Sequence, residues 1–134
     1  MAQPDNRWKQ RYQQYCRAFD LLAQAIEIER PSVVERAGII QFFEMAFELS
    51  WKLLRDYQQA EGFAINSPRA AIKQAFNGGL IRDGHAWIQA LEDRNLTTHT
   101  YNESTAILVE QQIRAVYYPL LQQLRDRFEP LVDT

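Results

Sequence analysis

The sequence predicts an all-α antiparallel helical bundle, on three observations. Apolar residues recur at helical rather than strand spacing along almost the whole chain. Helix start and stop signals punctuate those stretches at regular places. No run of strand period lies between them. At 134 residues, with 46% hydrophobic content, seven Phe, six Tyr and three Trp, the chain has enough apolar surface for one packed core. One domain over residues 1–134 is expected, since no linker, repeat or low-complexity tract divides it.

The first helix is carried by Trp8, Tyr12, Tyr15, Phe19, Leu22 and Ile26, a single amphipathic face. Its end is expected near Arg30-Pro31, because the residue before a proline is pushed out of the helical region. Ser32 then suits an N-cap, with Glu35 completing a capping box. The second helix is predicted from about Val33 to Ala60, with Gly62 closing it. It carries two apolar stripes, one through Ile40, Phe43, Phe47, Trp51 and Leu54. The other runs through Ile39, Phe42, Ala46, Leu49, Leu53 and Tyr57. Together they span an arc of about 200°, twice what a surface helix needs. A second chain is the expected cover for part of that arc, hence a homodimer.

Ser67-Pro68 reads as an N-cap and first helical residue, and Asn77-Gly78-Gly79 ends the short helix that follows, roughly Pro68 to Phe76. Asp83 can cap a fourth helix bearing Trp87, Ile88 and Leu91. The last helix is predicted from near Asn102, with its stripe running through Ala106, Val109, Ile113, Val116, Leu120, Leu124 and Phe128. Pro119 falls inside that stripe and predicts a kink.

Composition excludes several function classes. A net charge of −2 leaves no long basic groove, so any RNA contact needs a local basic cluster. One cysteine, Cys16, forms no internal disulfide and reads as a small buried hydrophobe rather than a nucleophile. With two histidines and that one cysteine, no zinc site is expected, and no glycine-rich phosphate loop is present. No cofactor is expected. The N-terminus lacks the basic and apolar regions of a signal peptide, and no apolar run approaches the ~18 residues that span a membrane. A soluble, cytoplasmic protein is the expectation.

Candidate chemistry gathers in Arg94-Asn95-Leu96-Thr97-Thr98-His99-Thr100-Tyr101. The threonines favour an irregular segment. On a straight helix Arg94 and His99 would lie about 140° apart. A break in the helix, or two copies meeting across an axis, could bring them to one phosphate. Histidine can take a proton from a ribose 2′-hydroxyl near neutral pH, and arginine offers a fork of donors to the phosphate. On spacing alone the ordinary alternative stands beside this one: Arg94 pairing with Glu92 or Asp93, and His99 capping a helix end. His85 reads as a surface histidine. Gln41, Glu44, Glu48, Lys52 and Arg55 share the polar strip of the second helix and read as a solvated face. Arg114, Arg125 and Arg127 are read the same way, with RNA contact as the alternative.

Beyond spacing, Phe43-Glu44-Met45-Ala46-Phe47-Glu48-Leu49-Ser50-Trp51-Lys52 resembles the signature of the nucleotidyltransferase substrate-binding proteins. Ser67-Pro68-Arg69, Ala75-Phe76, Trp87 ahead of Glu92-Asp93-Arg94-Asn95, and His99-Thr100-Tyr101 extend the resemblance over roughly Trp8 to Leu124. That family is similar to the HEPN toxins, known as HepT, of HEPN–MNT toxin–antitoxin pairs. The HEPN pattern of Arg, a polar residue, a short spacer and His matches Arg94, Asn95 and His99, and Tyr101 matches the tyrosine of the fuller toxin form. The resemblance implies a four-helix-bundle HEPN fold with an additional short helix, dimeric, with both motifs lining a shared cleft. It implies a metal-independent endoribonuclease with Arg94 and His99 catalytic, Asn95 orienting them, and RNA, tRNA among it, as substrate. It also implies a minimal nucleotidyltransferase partner that silences the toxin by placing AMP on Tyr101. The older family name implies a different role, a non-catalytic subunit that binds substrate for a nucleotidyltransferase.

Overall fold

The computed structural model describes residues 4–96 and 102–133. Among the described residues six α-helices follow one another and no strand occurs: α1 (Pro4–Ile26), α2 (Val33–Ala60), α3 (Pro68–Asn77), α4 (Gly84–Leu96), α5 (Glu103–Gln112) and α6 (Tyr118–Val132). A single π-helical turn, Ile113–Tyr117, joins α5 to α6, so these form one long C-terminal helix. The architecture is the expected helical bundle: α1, α2, α4 and the C-terminal helix, with α3 as the additional short element.

The starts are written in side-chain chemistry. Ser32 accepts from the Glu35 amide at 3.1 Å while Glu35 accepts from the Ser32 amide at 2.9 Å, so two otherwise orphaned donors of α2 are satisfied reciprocally. Ser67 accepts from the Ala70 amide, Asp83 from Ala86, and Asn102 from Ser104 and Thr105. α2 ends at Ala60, and Gly62 takes a φ of +100°, which a side chain would resist. α1 ends at Ile26, short of Arg30-Pro31. Arg114 closes it, donating to the carbonyls of Ile26 and Ile28 at 2.6 and 2.7 Å.

α2 is the axis of the bundle. α1 lies antiparallel along it, with Trp8 edge-on to Tyr57 and Arg11 on Asp56. The C-terminal helix runs parallel to α2: Arg36 reaches Glu110, Phe43 stacks on Tyr117, and Tyr57 meets Phe128. α3 and α4 close the remaining side through Gln58 on the Ala71 carbonyl and Phe47 against Trp87. This packing takes up most of the wide arc of α2, with Phe42, Leu49 and Tyr57 of its stripes left half-buried. Ile39, Ile40, Phe43, Ala46, Phe47, Trp51, Leu53 and Leu54 are all buried within one chain, because helices pack on both sides of α2. The wide apolar arc is therefore mostly spent inside the bundle, and it does not by itself require a dimer.

Pro119 gives no simple kink. The Tyr118 amide bonds the Ile113 carbonyl, five residues back, in a widened turn just ahead of the proline. Pro119 has no N–H for the Ala115 carbonyl and its ring would strike that carbonyl in a regular helix. The π turn opens the helix where the clash would fall, while Ile113 and Tyr117 stay buried.

Candidate functional site

Arg94 sits in the last turn of α4, where the partial negative charge of a helix C-terminus favours a cation. Its Nη1 donates to a carboxylate oxygen of Glu48 on α2. Glu48 also faces Lys52 Nζ at 3.6 Å, one turn further along α2. Glu44 lies one turn the other way; burial pushes its carboxyl above the usual range, and the Arg94 charge opposes that only in part. The residue before Arg94 is also engaged. Asp93 accepts from the Tyr117 hydroxyl and from Gln89 Nε2 at 3.2 Å. Tyr117 is buried under Phe43, and burial, then the Asp93 bond, holds its hydroxyl well above the ordinary tyrosine range. The end of α4 is thus tied to α2 through Arg94 and to the C-terminal helix through Asp93.

Two sequence expectations change here. The ordinary alternative paired Arg94 with its neighbours Glu92 or Asp93; Arg94 meets Glu48 on another helix, and Glu92 faces Arg69 at 3.8 Å. Within the polar strip of α2, Gln41 is exposed as expected, while Glu44, Glu48 and Lys52 are half-buried and Glu48 turns toward α4 to meet Arg94. Glu48 was present in that strip at the right spacing, but nothing local pointed it at Arg94. Arg114 and Arg125 are also structural. Arg114 bonds Glu110 and the end of α1, and Arg125 bonds Asp20 at 2.7 Å over the Phe19 ring.

Asn95 continues α4 by its backbone, and its side chain lies outside the described residues, as do His99 and Tyr101 entirely. His85 is exposed, as expected. Cys16 is half-buried, and burial pushes its thiol up, away from the reactive thiolate. Among the described residues no three His, Cys, Asp or Glu side chains gather as a metal site. None of their helices is long and apolar enough to cross a membrane. A cleft of about 430 Å³ opens elsewhere, between the α3–α4 loop and α6, over Ile81, Trp87 and Leu124 with Arg82, Asp126 and Arg127 at its rim.

Known proteins share the sequence pattern and the fold. Residues 10–130 match the family described as nucleotidyltransferase substrate binding protein like. A Haemophilus influenzae protein named "Probable ribonuclease HepT" is 35% identical over 111 residues, 73% of this chain and 75% of that one. A crystal structure from Thermus thermophilus superposes with a TM-score of 0.80 at 36% identity, covering 86% of this chain and 98% of the other. A Haemophilus influenzae structure, described as revealing the fold of a substrate binding domain of a nucleotidyltransferase, gives 0.72 at 29% identity over 87% and 97%. With nearly its whole length inside the family pattern and the same bundle in its relatives, the chain belongs to the nucleotidyltransferase substrate-binding-like family, together with HepT-type relatives.

Proposed function

We propose that the chain is a HEPN-type endoribonuclease, the toxin of a toxin–antitoxin pair, acting without a metal on RNA, tRNA among it. The observation that carries the reading is Arg94, fixed by Glu48 at the end of α4 and five residues ahead of His99, in a chain similar to a protein named as a ribonuclease. In this reading His99 removes the proton from a ribose 2′-hydroxyl. The 2′-oxygen attacks the adjacent phosphorus, the bond to the 5′-oxygen breaks, and that oxygen leaves as a hydroxyl with a proton taken from water, while the protonated His99 returns its own proton to solvent. The products are a 2′,3′-cyclic phosphate and a 5′-hydroxyl. Arg94 neutralises charge on the phosphoryl oxygens as it builds. The Glu48 bond engages Nη1 and sets the direction of the guanidinium fork. Asn95 orients the pair, and two chains present their motifs to one cleft. A minimal nucleotidyltransferase partner places AMP on Tyr101, adding a phosphate that competes for Arg94 and a base that blocks the cleft.

Incubating RNA with wild-type protein in chelator, beside Arg94→Ala and His99→Ala, tests the cleavage. Loss in both variants is expected; wild-type protein that leaves RNA intact would overturn the reading. Peptide mass after incubation with ATP and the partner tests Tyr101, where added AMP is expected. The Haemophilus influenzae structure described as a substrate binding domain favours a second reading, a non-catalytic subunit of a nucleotidyltransferase. That reading requires full transferase activity with the His99→Ala variant and no cleavage by wild type.

A further inference from the structure

Asp56 on α2 is completely buried, yet three arginines converge on it. Arg11 Nε reaches one carboxylate oxygen at 3.0 Å, Arg55 Nε the other at 2.9 Å, and Arg7 Nε stands 3.9 Å away. Arg7 is further held by the Gln59 side chain at 2.7 Å, and Arg55 lies over the Trp51 ring. One carboxylate balances the charge of one guanidinium. Three leave a surplus of fixed positive charge, with the Arg7, Arg11 and Arg55 side chains 56%, 24% and 27% exposed. Asp56 works as an anchor that holds like charges together against their repulsion.

The cluster continues toward Arg94. Glu48, Lys52, Arg55 and Gln59 stand at i, i+4, i+7 and i+11, one face of α2 about 16 Å long. Arg94 lies at one end of this face, on Glu48, and Arg7 at the other, on Gln59. Along it five cations meet three carboxylates, Glu44, Glu48 and Asp56, in a chain whose net charge is −2. That is the local basic cluster an acidic RNA-binding protein needs.

We propose that this α1–α2 strip, Arg7, Arg11, Arg55 and Lys52, is the track for the RNA backbone leading to Arg94. The inference rests on the ribonuclease reading and names where its substrate lies. The recognised chemistry is a run of phosphodiesters. The Trp51 ring is buried beneath Arg55 and offers no open face for a base, so the track reads phosphates and tolerates sequence.

The test uses the His99→Ala protein, which holds RNA uncut, and a fluorescent single-stranded RNA oligonucleotide. Arg7→Gln with Arg55→Gln removes two cations while Arg11 still satisfies Asp56, and thermal melting confirms that the fold is retained. Binding should weaken about tenfold near 0.1 M salt, and the salt slope should fall by about 1.4 for two lost phosphate contacts on a single strand. In the wild-type background the same pair should raise KM and leave kcat within about twofold. RNA cut by wild type, with unchanged KM, affinity and salt slope in the double variant, would overturn the track alone. Loss of nucleotidyltransferase binding with RNA affinity intact would overturn it in favour of a protein interface. No cleavage by wild type and no RNA binding by His99→Ala would remove the track and the ribonuclease reading together.

Discussion

Arg94 at the end of α4 and Glu48 at the middle of α2, 46 residues apart in sequence, form a direct side-chain ion pair. The pair is part-exposed, at 24% and 36%, so its worth to stability is about 0–1 kcal/mol. If the chain cleaves RNA as proposed, its worth to that reaction is larger, because a guanidinium aimed in advance need not reorganise as charge develops. Glu48→Ala is therefore expected to lower kcat for RNA cleavage about tenfold, close to 1.4 kcal/mol, while the melting temperature moves little. Single-turnover cleavage and thermal melting on the same samples check this. Unchanged kcat would make the ion pair merely structural.

Asp56 is the reverse case, a group whose loss is felt by the fold. It is wholly buried and bonded to Arg11 and Arg55. Asp56→Asn keeps the shape and removes the charge, leaving three arginines to repel one another across the α1–α2 seam. The expected loss is about 1.5–3 kcal/mol, the range for hydrogen bonds to a charged group. It should show as a lower urea midpoint with an unchanged m-value.

The cap residues explain why so much of the fold could be read in advance. Ser32 with Glu35, Ser67 with Pro68, and Asn102 each act on amides within three residues, so the signal is local and the helix starts follow from it. The errors share the opposite character. Arg114 closes α1 across 88 residues, and Arg94 finds Glu48 across 46; no window of sequence contains either pair. The π turn failed for a different reason. Pro119 marks where a regular helix must give way, but whether it bends or widens is decided by Ile113 and Tyr117, both held in the core. For the candidate site, spacing alone left Arg94 and His99 ambiguous, and the family pattern favoured them. The contribution of Glu48 needed the packing of α4 on α2.

Glu110 makes a prediction in pH. Burial alone would raise its carboxyl, but bonds from Arg36 at 2.7 Å and Arg114 at 2.8 Å, with their charges, outweigh burial and hold it below the usual value. A carboxyl held low in the folded chain adds stability above the unfolded value, 4.5, and loses it as pH falls through the folded one. Glu110→Gln should therefore be less stable than wild type at pH 7, and the gap should close as the medium is acidified below the usual carboxylate range. Urea unfolding of both proteins across that range decides it. A gap that stays constant with pH would assign the loss to packing instead.

Tyr117 ties the candidate site to the core. Its hydroxyl donates to Asp93, the residue before Arg94, while its ring stacks on Phe43 at 5.3 Å. Burial and the Asp93 bond both raise its ionisation, so the hydroxyl stays a donor through the neutral range. Tyr117→Phe keeps the ring and deletes the bond, at an expected loss of about 1.5 kcal/mol, since half-buried Asp93 can turn to water. Tyr15→Phe is the matched control: it deletes a buried hydroxyl bond to the Leu121 carbonyl, on the α1 side of the bundle. The two variants should lose comparable stability. Only Tyr117→Phe should also lower kcat for RNA cleavage, because only there does the lost bond hold the turn that carries Arg94. Equal cleavage by both variants at a temperature where both are folded would show that Asp93 does not position Arg94.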